Sequence, residues 1–175
     1  MKSGENQKVG PITDFLVKDH GRLESLLQQA MAHADHVDQE TYDQFRAGLL
    51  RHIGMEEKIL LPAAKRLRGG EPLLIASRLR LDHGALATLL IPTPTAVVIA
   101  TIRSILEDHN TIEEGPGGLY ETCDELACSE AGQLLAKLQA APEVAVLPHS
   151  DTPTVMNTLH RVLERAGYTF REDAI

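Results

Sequence analysis

The sequence predicts an all-α fold, an up-down-up-down four-helix bundle with an extra C-terminal helical extension. Three observations lead there. Apolar residues recur at alternating spacings of three and four along most of the chain, and the two-residue alternation of a strand is almost absent. Breaks rich in Gly and Pro cut that pattern into segments long enough to be packed helices. The core has to be aliphatic, because the 175 residues include no Trp, three Tyr and three Phe, which suits helix-on-helix packing. The length is that of one domain with a sizeable core.

Taken in order, residues 1–12 read as a polar N-terminal arm. A first helix spans roughly Thr13 to Ala34, with Leu16, Leu23, Leu27 and Met31 on one stripe. A second begins after Asp38 and runs to about Leu67, carrying Tyr42, Phe45, Leu49, Ile59 and Ala63. Pro62 is expected to kink or shorten its last turns, and Gly69-Gly70 to end it. A third starts near Glu71-Pro72, with Ile75, Leu79, Leu86 and Leu90 in register. After the break Pro92-Thr93-Pro94, a fourth carries Val98, Ile102, Ile105 and Ile112 and stops at the GPGG run, Gly115 to Gly118. A fifth helical segment covers Leu119 to Ala140, so the bundle domain is expected over residues 13–141. Residues 142–175 read as an extended, Pro-containing linker and a short helix. That helix opens at Thr152-Pro153, closes at Gly167 and has Met156, Leu159, Val162 and Leu163 on its apolar face. The face needs covering by the bundle, by a second copy of the chain or by another protein.

Charge and composition exclude several functions. With net charge −8 and pI about 5.4, the chain lacks the basic footprint of a nucleic-acid binder. Two cysteines make no disulfide framework and suit a reducing compartment. No run approaches the ~18 apolar residues of a membrane span, and the first ten residues lack the apolar segment of a signal peptide. A cytoplasmic protein without membrane or nucleic-acid partners is the expectation.

Each bundle stripe is interrupted by polar residues at core positions. His20 falls between Leu16 and Leu23, His52 and Glu56 between Leu49 and Ile59, His83 between Leu79 and Leu86, and His109 and Glu113 follow Ile105. Burying a carboxylate without a partner costs several kcal/mol, so these interruptions need a shared cause. In antiparallel helices two residues are level when their midpoint falls at the connecting loop. His20 and His52 have midpoint 36, in the first loop; His52 and His83 have 67.5, beside Gly69-Gly70; His83 and His109 have 96, just past Pro94. The four imidazoles therefore share one level to within about a turn. Each Glu lies four residues after a His and on its face. Four imidazoles and two carboxylates meeting in a bundle core describe a metal site.

The pattern also repeats. Asp19-His20 precedes His52 to Glu57 (HIGMEE) as Asp82-His83 precedes His109 to Glu114 (HNTIEE). Two similar hairpins imply a pseudo-two-fold site with two metals and shared carboxylates. Nitrogen and oxygen donors without thiolate suit iron or manganese, with zinc an alternative occupant. Asp19, Asp82 and Asp108 each precede one of these His residues and point about 100° away from it; they either orient a His on a neighbouring helix or lie in solvent. Glu57, by the same register, is expected to turn away and matter less. His33, His36, His149 and His160 read as surface residues. Cys123 and Cys128 diverge on a helix and do not pair.

The string DH, HIGMEEKILLP, LDH and HNTIEE over residues 13–125 resembles the hemerythrin-like, or HHE cation-binding, domain family. The resemblance implies a four-helix bundle holding a non-haem di-iron centre, with His20, His52, Glu56, His83 and His109 as ligands. The second bridging carboxylate is Glu113 or Glu114, and the repeat with Glu56 favours Glu113. It also implies a small diatomic ligand, oxygen or nitric oxide, that the protein binds or senses. Two alternatives remain beside that function. One is a di-iron redox enzyme or iron donor acting on peroxide or nitric oxide or in iron–sulfur repair. The other is an interaction module controlled by metal occupancy, with the tail helix as its contact surface. Oxygen carriers of the family have His-x-x-x-His on the third helix, whereas here Ala87 stands four residues after His83. One iron then lacks a nitrogen ligand, which counts against durable oxygen carriage.

Overall fold

The computed structural model describes residues 9–170, so the first eight residues of the expected arm lie outside the described residues. Helix α1 spans Pro11–Ala30 and opens on a proline, whose fixed φ and missing N–H suit a first turn. Gly10 precedes it and has no side-chain oxygen to cap it. Asp124 does so from across the fold, accepting from the N–H groups of Ile12 and Thr13 at 3.0 and 2.9 Å and from the Thr13 hydroxyl at 2.7 Å. Gly10 permits that approach, since a Cβ there would lie 2.1 Å from the Asp124 carboxyl carbon. The helix ends four residues short of the expected Ala34. Asp38 donates its N–H back to Ala30 at 2.9 Å, folding the loop onto the helix end, and its carboxylate then caps α2, Gln39–Met55, through the Thr41 N–H.

The kink or shortening expected at Pro62 takes the form of a widened turn. A π-helical turn, Glu56–Leu60, joins α2 to α3, Leu61–Leu67, and the Leu61 N–H reaches back five residues to the Glu56 carbonyl. Proline has no N–H to return to Lys58 and its ring presses on that carbonyl; adding a residue to the turn relieves both. Helix α4, Ala76–Leu89, starts later than Pro72. Residues 71–75 form a turn instead, held by Arg68 donating to the Pro72 carbonyl at 2.7 Å and by Ala76 N–H to Leu73. Thr95 caps α5, Ala96–Glu114, which stops before the GPGG run as expected. The fifth segment divides into α6, Leu119–Ala127, and α7, Ala131–Gln139, around a short 3₁₀ turn. The break falls at Cys128, whose φ of 43° no α-helix accommodates. Cys123 is buried, Cys128 exposed, and both are free thiols.

Helix α1 packs on α2 and α4 on α5, while α6 packs on both α1 and α5. The interior forms two apolar clusters. One gathers Leu23, Leu27, Phe45, Leu49, Leu86 and Ile102. The other gathers Leu16, Met55, Leu60, Leu79, Leu119 and Tyr120. The polar residues that interrupt the stripes lie between them in sequence on every bundle helix. Helix α8, Pro153–Ala166, settles what covers its apolar face. It packs on α4, with Leu159, Leu163 and Ala166 buried in the first cluster. Residues 141–152 run extended to reach it, strapped down by Arg46 donating to the carbonyls of Leu90 and Leu147 at 2.9 and 3.0 Å, and by Arg51 donating to Ala141 at 3.0 Å. Among the described residues there is no strand, and no helix is long and apolar enough to cross a membrane.

Candidate metal centre

Helical register brings the six expected side chains together. His20 comes from α1, His52 from the end of α2, Glu56 from the first position of the π turn, His83 from α4, and His109 and Glu113 from α5. Glu56 and Glu113 are fully buried, and His52, His83 and His109 nearly so. Their donor atoms form two groups, His20–His52–Glu56–Glu113 and Glu56–His83–His109–Glu113, each with all atoms within 4.8 Å of one another. Both carboxylates belong to both groups. In the first group, Nε2 of His20 and Nε2 of His52 lie 2.9 Å apart. His52 Nε2 is 3.2 Å from Glu56 Oε1, and His20 Nε2 is 3.4 Å from Glu113 Oε2. In the second, His83 Nε2 is 3.0 Å from Glu56 Oε2 and His109 Nε2 is 2.9 Å from Glu113 Oε1. Glu113 sits inside both groups. Glu114, the other candidate, points outward.

Every one of the four imidazoles turns its remaining nitrogen, Nδ1, to a carboxylate. Asp19 receives His52 at 2.8 Å and Asp82 receives His109 at 3.3 Å, each within its own hairpin. Glu57 receives His83 at 2.6 Å, and Glu114 receives His20, each across to the other hairpin. The repeated Asp-His and Glu-Glu pairs thus act as one device. The first Glu of each pair joins the buried cluster, and the second holds the His of the opposite repeat. Such carboxylate–imidazole pairs set the tautomer and raise the basicity of the nitrogen facing the centre. Of the three Asp residues that precede a core His, Asp19 and Asp82 are buried orienting groups, whereas Asp108 is exposed. Glu57 also makes a contact that its register alone did not suggest. Its side chain does leave the cluster, but it leaves toward His83, and Arg80 braces it at 3.3 Å.

The electrostatics follow from this packing. Burial drives the His52 imidazolium toward deprotonation, yet Glu56 and Asp19 outweigh it and hold the group at about 10. Burial is likewise overcome at His83, by Glu113, Glu56 and Glu57, to about 11, and at His109, by Asp82 and Glu113, to about 9. Burial pushes the Glu113 carboxyl up, and His109, His20 and His83 pull it well below the usual carboxylate range. The metal-free site therefore holds protons on imidazoles as counter-charges to its two buried carboxylates. Even so, the buried atoms Glu56 Oε2, His83 Nε2 and Glu113 Oε1 meet their neighbours at ion-pair distances of 2.9–3.0 Å without the alignment of a hydrogen bond. Native structures rarely leave such atoms unsatisfied. Two buried carboxylates and four inward-facing imidazole nitrogens converging this closely form a donor set that a cation would complete by displacing the imidazole protons.

One participant was not legible beforehand. Tyr120, on α6, is fully buried and brings its hydroxyl into the first group. The oxygen lies 2.7 Å from Glu56 Oε1, 3.0 Å from Glu113 Oε2, 3.0 Å from His20 Nε2 and 3.2 Å from His52 Nε2. Burial and the charges of Glu56 and Glu113 push its hydroxyl well above the ordinary tyrosine range. The one available signal was its position: the second residue of the helix that follows GPGG, seven residues after Glu113.

Residues 11–145 match the family model described as hemerythrin HHE cation binding domain. The chain belongs to that family. No significant match is found among curated proteins or among solved structures. The hemerythrin HHE domain accounts for the bundle and for the two His/Glu groups, and the donor chemistry is that of a metal-binding protein. A small cavity of about 30 Å³ adjoins the centre, lined by His20, His52 and His109 together with Leu23, Leu49 and Leu86. Those leucines belong to the first apolar cluster, while Tyr120 belongs to the second. The cavity and the tyrosine therefore lie on opposite sides of the histidine layer.

Proposed function

We propose that this hemerythrin HHE domain holds two non-haem iron ions and binds or senses a small diatomic ligand, oxygen or nitric oxide. His20 and His52 hold one ion, His83 and His109 the other, and Glu56 and Glu113 bridge them. The observation that carries the reading is the sharing of both fully buried carboxylates between two four-donor groups. A single ion needs only one such group. Nitrogen–oxygen donor sets without thiolate favour iron or manganese over softer ions. Iron bound there supplies redox-active electrons and an exchangeable coordination position.

The chain's own residues do the rest. Asp19, Asp82, Glu57 and Glu114 keep each imidazole in the tautomer whose Nε2 lone pair faces inward. Leu23, Leu49 and Leu86 make the cavity side of the centre largely apolar. A cavity of about 30 Å³ has room for roughly two water molecules, enough for a diatomic ligand. Ala87 gives no nitrogen to the His83–His109 group, supporting sensing or redox turnover over long-lived oxygen storage.

Metal analysis with absorption spectra of anaerobically purified, reduced protein, before and after oxygen or nitric oxide, tests this. Two irons per chain and a spectral change with one of the gases are expected. One iron per chain at saturation, or iron spectra indifferent to both gases, would overturn it.

A further inference from the structure

We propose that Tyr120 is a fifth protein ligand to the ion held by His20 and His52, coordinating through its phenolate oxygen. This rests on the metal-holding reading above and adds to it a donor outside the bundle's repeated motif.

The case begins with an excess of neighbours. A phenol has one proton and two lone pairs, so it makes at most one donated and two accepted hydrogen bonds. The Tyr120 oxygen is within 3.2 Å of four buried polar atoms, two carboxylate oxygens and two imidazole nitrogens. It can donate to only one of the two carboxylates. A hydrogen-bonding role accounts for part of this crowding and leaves the rest unexplained.

Coordination accounts for all of it. Ligands to a divalent or trivalent ion at ~2.1 Å are separated, when adjacent in an octahedron, by that length times the square root of two, or ~3.0 Å. The first group shows this edge repeatedly. His20 to His52 is 2.9 Å, His52 to Glu56 is 3.2 Å and Glu113 to His20 is 3.4 Å. These link the four side chains in the order Glu113, His20, His52, Glu56, with all four donor atoms within 4.8 Å of one another. Tyr120 stands 2.7–3.2 Å from all four. Tyr120 thus caps the same donor set that would hold the ion, at the spacing of adjacent ligands.

The consequence is an asymmetry that the pseudo-two-fold sequence repeat does not contain. The His20–His52 group has five protein donors and the His83–His109 group has four. The second ion is then the more open of the two, on the same hairpin that lacks a nitrogen at Ala87. Binding is balanced simply: the phenol O–H bond breaks, the oxygen–metal bond forms, the proton leaves to solvent, and no electron is transferred.

The test is spectroscopic. Purified protein is loaded with ferric iron, iron content is measured, and phenolate-to-iron charge transfer is sought in the visible spectrum and by resonance Raman scattering. The chain has three tyrosines, Tyr42, Tyr120 and Tyr168, so the source can be assigned. The double variant Tyr42→Phe/Tyr168→Phe leaves Tyr120 as the sole phenol and is expected to retain the full band and the phenolate modes. Tyr120→Phe is expected to lose both while keeping the helical circular dichroism of the parent. If Tyr120→Phe fails to fold, the double variant alone decides the matter. Protein that binds two irons yet shows no phenolate signature, or that loses it in the double variant, overturns the role of Tyr120 and leaves the di-iron reading standing. Protein that binds no iron fails the underlying reading instead.

Discussion

Replacing Asp19 with asparagine is expected to weaken metal binding by about 10- to 100-fold, equivalent to roughly 1.4–2.7 kcal/mol, without unfolding the protein. Asp19 Oδ2 accepts from His52 Nδ1 at 2.8 Å, and Oδ1 accepts from Arg22 Nε at 2.8 Å. Asparagine keeps an acceptor oxygen in nearly the same volume and removes the charge, so the substitution isolates the electrostatic part of the contact. Burial pushes the Asp19 carboxyl up, but His52 and Arg22 outweigh it and hold it at about 2. The group is therefore ionised wherever the protein is folded, and its charge makes the inward Nε2 of His52 a better donor. Asp108→Asn is the matched control, since Asp108 also precedes a core His but is exposed. Competition with a chromophoric chelator at fixed pH measures both variants. If Asp108→Asn weakens binding as much as Asp19→Asn does, or if Asp19→Asn changes nothing, the orienting role assigned to these carboxylates is wrong. The metal-free protein provides a second check. A carboxylate with a depressed pKa stabilises the fold above its unfolded value of 3.8, and that contribution disappears as pH falls through about 2. The stability difference between parent and Asp19→Asn, read from urea midpoints, should be full near neutral pH and shrink toward zero at the acid end.

Glu57→Gln is expected to lower affinity chiefly for the ion held by His83, by a similar 10- to 100-fold, so that chelator titration becomes biphasic; a monophasic curve like the parent's would return Glu57 to the periphery. Metal loading should release protons, because His52, His83 and His109 stand at about 10, 11 and 9 in the metal-free site. These raised imidazoles stabilise the metal-free fold fully below ~6.5, and the contribution is lost as pH rises through 9–11. Apparent metal affinity should accordingly rise with pH, with calorimetry in buffers of different ionisation enthalpy reporting the protons; an affinity flat from pH ~6 to ~9 contradicts the charge arrangement. Leu159 is fully buried where α8 meets the bundle, and Leu159→Ala should destabilise the chain by about 2–5 kcal/mol in denaturant melts, against no loss if the tail helix only rests on the surface. Ala87→His, one turn past His83, should supply the absent nitrogen and slow autoxidation in stopped-flow oxygen mixing; an unchanged rate would show that the open position lies elsewhere.

Much of this protein is periodic, and what is periodic could be read without the fold. A His and a Glu four residues apart share a helix face whatever surrounds them, and a midpoint at a loop sets two residues level across any antiparallel pair. His20, His52, Glu56, His83, His109 and Glu113 were therefore legible as one inward-facing layer, and the preference for Glu113 over Glu114 followed from its repeat with Glu56. Local chemistry misplaced some boundaries, because the contacts that set them are nonlocal or subtle. Pro72 looked like a helix start but is held in a turn by Arg68, and Pro62 widened its helix to a π turn where a kink or shortening was expected.

What only the tertiary structure decided is which groups meet between elements. Glu57 reaches His83 and Glu114 reaches His20 because of how the two hairpins rotate against each other, and no spacing within a helix contains that rotation. Packing within each hairpin buried Asp19 and Asp82, which lie on first helices, and left Asp108, on a second helix, exposed. Tyr120 is the extreme case. It stands 100 residues from His20 on a helix that reads as ordinary core, and its oxygen enters the centre because α6 packs on α1 and α5, with Asp124, one turn further along, fastened to the start of α1. Helix periodicity is a property of the chain and travels with the residues. The direction a side chain takes across an interface depends on the packing of every helix around it, and that exists only once the fold is complete.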